Sequence, residues 1–264
     1  INASIPTSMV EPSLASQQFV EGLIVSQQPE LLGLPYANQY SIQLTISADL
    51  HSLQAEQTVW ITNQESVELD ELAFHLFPNY AGGYYNFTQV ALNHQPVLYE
   101  LQEEDTILRI YLPQALAPTQ STSINLQYTL AIPTEMGGNY GLFGYFEDVL
   151  VLDTFYPMLA VFDQNGWHAG PPDPVGDLTY TDASYYQVQV DAPADLILVA
   201  SGVQTARVVQ AERQQVSFAA GPARDFYLAG STRFSKWSQQ LGEVTINSYA
   251  FAENAAAGKL ALET

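Results

Sequence analysis

Apolar and polar residues alternate along most of this chain. Tyr40, Ile42, Leu44 and Ile46 share one face of a strand. Residues 58–62 (TVWIT) are short and β-prone. Leu72, Phe74 and Leu76 alternate with Ala73, His75 and Phe77 until Pro78 ends the run. A short strand is expected within 80–100 and another over 107–112 (ILRIYL). Ile124, Leu126, Tyr128 and Leu130 form the next, closed by Pro133. The clearest stretch is 185–202, YYQVQVDAPADLILVASG. Tyr186, Val188 and Val190 alternate with Gln187, Gln189 and Asp191, the period of a half-buried strand. Pro193 cannot donate to a ladder and marks a turn. Leu196, Leu198 and Ala200 then alternate with Ile197, Val199 and Ser201, apolar on both faces, so this second strand is expected to be central and to complete a hairpin. Further strands are expected at 203–209, 215–219, 225–231 and 244–251. The pattern predicts an all-β domain over 39–252, a saddle-like β-sandwich of two sheets and mainly antiparallel strands.

The flanks differ. Residues 1–38 are rich in Ser, Gln and Pro, and Pro6, Pro12, Pro29 and Pro35 break any long element, as in a linker or N-terminal arm. Residues 253–264 switch to helix formers and read as the start of a next domain. Inside the domain, 113–123 reads as a loop and 137–146 (GGNYGLFGYF) as a glycine-rich turn. That turn lacks the Lys-Ser/Thr ending of a phosphate loop. Residues 149–161 are apolar and broken by Pro157. Residues 163–184 form the longest irregular stretch, and loops of that length are usually functional or mobile.

Charge narrows the partners. The net charge is −21; residues 1–206 hold 23 of the 28 acidic residues and one base, Arg109. Such a surface repels phosphate backbones, so nucleic acid is not expected as a partner. Asp163, Asp173, Asp177 and Asp182 could offer oxygens to Ca²⁺, but their spacing is not that of an EF-hand loop, and turn chemistry explains Asp, Gly and Pro there. The absence of cysteine excludes disulfides and thiolate chemistry within these residues. No apolar run reaches the roughly 18 residues that span a membrane. The chain begins at Ile1 without an initiator Met, which is expected of a processed or cut product. A tract like 1–38 often follows a removed signal or lipid anchor, so an extracytoplasmic location is expected.

Three stretches carry a family resemblance. They are V-W-I-T-N-Q-E to L-D-E-L-A-F-H-L-F-P-N over 59–79, the 185–202 stretch, and A-R-D-F-Y-L-A-G-S over 223–231. Together they resemble the N-terminal β-domain of the zinc aminopeptidases that include alanyl aminopeptidases and leukotriene hydrolase. The resemblance implies a chain cut before its catalytic domain. It also implies a whole protein that is a zinc-dependent hydrolase trimming peptide N-termini. Its own catalytic domain and a peptide substrate are the implied partners.

The zinc chemistry itself is not in these residues. The family's His-Glu-x-x-His motif needs two histidines four apart on a helix face. Four positions after His51, His75, His94 and His168 stand Ala55, Asn79, Leu98 and Pro172. The Gly-x-Met-Glu-Asn motif is also missing; Met136 is followed by Gly137. Thus no cofactor is expected in this part, and Zn²⁺ is expected in the missing catalytic domain. His75 lies on a strand, where one satisfied ring nitrogen is the plainer expectation than a metal bond.

The family places its cleft-lining segment just before the 185–202 stretch. The resemblance therefore implies substrate-binding roles for Asp153, Thr154, Tyr156, Asp163 and Trp167, with a carboxylate of Asp153 or Asp163 holding the peptide amine. Here Thr154 stands where a Gln is often found in a related subgroup. The rival reading is a non-catalytic β-sandwich module for carbohydrate or a protein partner, with Tyr84, Tyr85 and Trp167 as stacking surfaces.

Overall fold

Strands with one polar and one apolar face must bury the apolar one, and two such layers facing each other do so. The computed structural model describes residues 17–136, 141–171 and 179–263. In chain order the strands are β1 (Gln39–Ile46), β2 (Ser52–Thr62), β3 (Leu69–His75), β4 (Tyr84–Leu92), β5 (Gln95–Pro96), β6 (Tyr99–Gln102) and β7 (Ile107–Leu116). Then come β8 (Ser121–Ala131), β9 (Phe143–Phe146), β10 (Val149–Leu152), β11 (Met158–Leu159), β12 (Phe162–Asp163) and β13 (Gly166–Trp167). The last are β14 (Ser184–Pro193), β15 (Ile197–Ala200), β16 (Val203–Gln210), β17 (Arg213–Ala223), β18 (Leu228–Ser231), β19 (Phe234–Leu241) and β20 (Val244–Phe251).

The result is an all-β sandwich of mostly antiparallel strands. One layer is an eight-stranded sheet in the order β16-β17-β14-β1-β2-β8-β4-β5. Two four-stranded sheets, β15-β18-β10-β9 and β11-β3-β7-β6, make up the other layer, where a single second sheet was expected. One continuous core joins all three: Ile42, Val59, Leu126 and Val188 of the large sheet meet Phe74, Ile110, Leu150 and Leu228 of the smaller ones. Each fully buried side chain of this size contributes about 1.5–3 kcal/mol. The outer face of the large sheet is polar, as the alternation required: Gln43 stands opposite Gln189 and Glu56 opposite Gln127.

Two expectations fail here. Residues 185–202 are not a hairpin. β14 pairs with β1 in parallel and with β17, whereas β15 leaves for another sheet and pairs with β18. Nor is β15 central; it is an edge strand, and Ile197 is exposed. Gly202 permits the turn that follows, because it holds φ +75° and a Cβ there would stand 2.1 Å from the Ala219 carbonyl oxygen. The strand β19 also lies where none was expected. Its polar sequence, FSKWSQQL, shows no alternation, and it pairs only with β20.

Part of the arm is packed. Phe19 is buried and its ring meets Tyr185 at 5.0 Å, and the Tyr185 hydroxyl donates to the Leu31 carbonyl. Residues 1–16, residues 137–140 of the glycine-rich turn, and Asp173 and Asp177 of the acidic loop lie outside the described residues. Tyr85, expected as a sugar-stacking surface, is buried and donates to the Phe155 carbonyl at 2.9 Å, so it offers no exposed face.

Three tyrosines tie the layers together. Tyr40 of β1 stacks on Tyr186 of β14 at 5.0 Å, and Tyr156 meets both edge-on. Their hydroxyls are engaged as well. Leu159 N–H donates to Tyr40, Phe226 N–H donates to Tyr156 at 3.0 Å, and Tyr186 donates to the Arg224 carbonyl. Removing the Tyr156 hydroxyl would leave the Phe226 N–H without its acceptor. Tyr156→Phe is expected to cost about 1–3 kcal/mol, read as a lower urea midpoint at unchanged m. An unchanged midpoint would contradict this.

Candidate functional site

The segment between β10 and β11 has almost no ladder of its own. Side chains from the inner face of the large sheet take its backbone groups instead. Tyr85 donates to the Phe155 carbonyl, and Gln57 donates from Nε2 to the Pro157 carbonyl at 2.8 Å. Leu159 N–H donates to Tyr40 at 3.1 Å. This anchoring fixes Asp153 at the head of the segment, where its N–H donates to the Leu142 carbonyl and Thr154 adopts φ +50°.

A second carboxylate, Asp225, lies within electrostatic reach of the first. Asp225 lies between Arg224, whose carbonyl accepts from Thr181 and Tyr186, and Phe226, whose N–H is held by Tyr156. Burial, with the neighbouring Asp225 carboxylate, pushes Asp153 up to about 6. Burial also raises Asp225. Tyr227 directly precedes β18, whose Leu228 pairs with Leu152 of β10; its phenol is raised by burial and by the Asp153 charge. The Tyr227 N–H donates to the Ser201 hydroxyl at 3.0 Å. Two half-buried carboxylates this close favour a cation between them, which relieves their repulsion and the cost of burial together.

The five expected residues do not form one site. Asp153 joins Asp225 and Tyr227. Thr154 and Tyr156 are buried, at 2% and 0% exposure, and the Tyr156 hydroxyl accepts from the Phe226 N–H. Asp163 and Trp167 sit on the β12–β13 hairpin, which lies over the outer face of the β11-β3-β7-β6 sheet. There Asp163 pairs with His168 at 2.8 Å and Trp167 packs edge-on against Phe162 at 5.1 Å. Among the described residues, neither shares a hydrogen bond, ion pair or ring contact with Asp153. Sequence reasoning missed Asp225 and Tyr227 as site residues, although both stand in the 223–231 stretch that carried the resemblance.

The histidines do not fit a catalytic zinc. His75 has Nε2 on the His168 carbonyl at 2.9 Å, as one satisfied ring nitrogen required. His168 holds Asp163, and His51 lies 3.9 Å from Asp49. Among the described residues no three His, Cys, Asp or Glu side chains gather as a metal group. No helix there is long and apolar enough to cross a membrane.

Comparison with known proteins falls on the fold. No protein-family model and no curated protein matches the sequence. Solved structures do. An M1 zinc metallopeptidase from Deinococcus radiodurans aligns at TM-score 0.55 and 16% identity, over 81% of this chain and 47% of that one. A mutant of that enzyme bound to a Tyr-Ser-Ala substrate aligns at 0.53 and 16%, over 81% and 48%. A two-domain M1 zinc metallopeptidase mutant bound to L-tryptophan aligns at 0.53 and 16%, over 81% and 47%. The chain has an M1 peptidase-like fold. It spans about half the length of the M1 structures it matches.

The carboxylate pair sets a pH dependence for this M1-like domain. Unfolded, Asp153 titrates near its ordinary 3.8; folded, near 6. The folded state therefore holds the proton more tightly. Its contribution is fully present below the unfolded value and is lost as pH rises through the folded one. Asp153→Asn should raise Tm above about pH 6 and leave it nearly unchanged at acid pH. A variant that loses Tm equally at both pH values would show that Asp153 carries no such strain.

Proposed function

We propose that this chain is the non-catalytic N-terminal domain of a zinc-dependent aminopeptidase, and that it covers the active-site cleft and holds the substrate's amino terminus. The M1-like fold over 81% of the chain carries this reading, because the structures it matches include one bound to a peptide and one bound to an amino acid. The catalytic domain would follow residues 253–264 and supply the metal and the hydrolytic step. This chain's own part is to bind and orient. The Asp153 carboxylate, ionised at neutral pH, would take the peptide ammonium in a partly desolvated place. Asp225 would add a second negative charge, and Tyr227 a donor beside it.

Two measurements test this. In the full-length protein, Asp153→Asn should lower kcat/KM on free-amine peptides about tenfold, about 1.4 kcal/mol, mainly through KM. Binding of N-acetylated peptides, which present no ammonium, should be unchanged. Wild-type kinetics in the variant would remove Asp153 as the amine anchor. Metal analysis should find one zinc in the full-length protein, with activity lost to a chelator, and no stoichiometric zinc in residues 1–264 alone. A tightly held zinc in the shorter chain would place the chemistry here and overturn the reading.

A further inference from the structure

His75 is a buried titratable side chain that the proposed function does not use. It ends β3 on the face turned away from the main core. Its ring stacks on Phe77 at 4.7 Å and 11° and is only 5% exposed. Nε2 meets the His168 carbonyl at 2.9 Å. A carbonyl only accepts, so Nε2 carries the proton and Nδ1 bears the lone pair. Nδ1 is buried and finds no partner among the described residues.

That bond is one of few holding residues 160–169 to the sheet beneath. Ala160 N–H donates to the Ala73 carbonyl of β3, while His168 N–H donates to the Val161 carbonyl within the segment itself. Its apolar contacts are Ala73, Ile107, Ala160 and Ala169 with Trp167 against them, and Phe162 and Trp167 also pack against the main core. A second proton on His75 would fall on Nδ1, which is buried and has no acceptor among the described residues. The neighbouring charges are already committed or uninvolved. Glu71 of β3 pairs with Arg109 of β7, and Asp163 of the hairpin pairs with His168. From β11 the ring's neighbour is Met158, which is uncharged. In the turn before β7, Glu103 accepts through its backbone from Thr106, and Asp105 through its backbone from Asn79. None of these carboxylates hydrogen-bonds the ring. Charging His75 therefore calls for water at Nδ1, and the chain that rests on this ring through the His168 carbonyl is residues 160–169.

We propose that His75 is a proton-operated latch, whose protonation releases residues 160–169 from the outer face of the β11-β3-β7-β6 sheet. Burial holds the ring below the usual histidine range, so the latch is closed at neutral pH and opens on the acid side. The device does not depend on the peptidase reading.

Amide hydrogen exchange on the intact chain, corrected for intrinsic rates, tests it between about pH 7.5 and about pH 5, where histidine titrates. Protection at Ala160, whose N–H bonds the sheet, should fall by about tenfold per pH unit as pH drops toward the midpoint, as one linked proton requires, and level off below it. Amides of β1 and β2 should keep theirs. His75→Gln, which retains a donor but cannot titrate, should abolish the pH dependence, and Asp163→Asn should leave it in place. The NMR titration of the His75 ring in the wild-type chain should share the midpoint of the exchange transition. Constant protection across the range, equal loss in His75→Gln, loss of the effect in Asp163→Asn, or a ring still neutral after release would each overturn the proposal.

Discussion

The structure depends on how one irregular segment crosses a β core. Residues 153–157 lead from β10 to β11 with no strand ladder of their own, and a buried backbone group left unpaired costs about as much as a lost hydrogen bond. Tyr85, Gln57 and Tyr40, all on the inner face of the large sheet, take backbone groups of Phe155, Pro157 and Leu159. Tyr128 in turn donates to Gln57 at 3.3 Å. These polar side chains break the apolar pattern of their strands, and each does so to serve the segment. Pro157 fits the same logic, since it brings no N–H that would need a partner.

That anchoring is also what builds the candidate site. Tyr156 goes down into the core and accepts from Phe226, so a single side chain links the Asp153 segment to the Asp225 segment. Tyr186, itself stacked on Tyr40, fixes Arg224 from the other side. Two carboxylates that repel each other are thus held together by neighbours whose own packing is fully satisfied. Strain placed at a polar rim and offset by a rigid aromatic core is the arrangement expected of a binding site, where stability gives way to function.

Alternation made β1, β2, β8 and β14 legible, because one face of each meets the core and the other meets water. It could not tell which sheet β15 joins, since Leu196 to Ser201 is apolar on both faces and suits a hairpin and a crossover equally. β19 was invisible because residues such as Ser235, Ser238 and Gln239 give no face to bury. The resemblance pointed to Asp153, Thr154 and Tyr156 together, and could not tell that the last two are buried: an aromatic in such a segment reads alike as lining or as support. Asp225 was passed over because one carboxylate in a strand-like run does not announce a partner far away in sequence. The resemblance itself was sound at the level of fold, which at 16% identity is what the solved structures support.

The central claim is that a tyrosine-pinned carboxylate pair in this domain receives a peptide amine. A crystal structure of the full-length protein with a bound peptide tests it most directly. The account predicts the peptide nitrogen within hydrogen-bond distance of the Asp153 carboxylate, roughly 2.7–2.9 Å, with Asp225 beside it. A peptide whose amine is held elsewhere, with Asp153 and Asp225 facing solvent or protein alone, would contradict it.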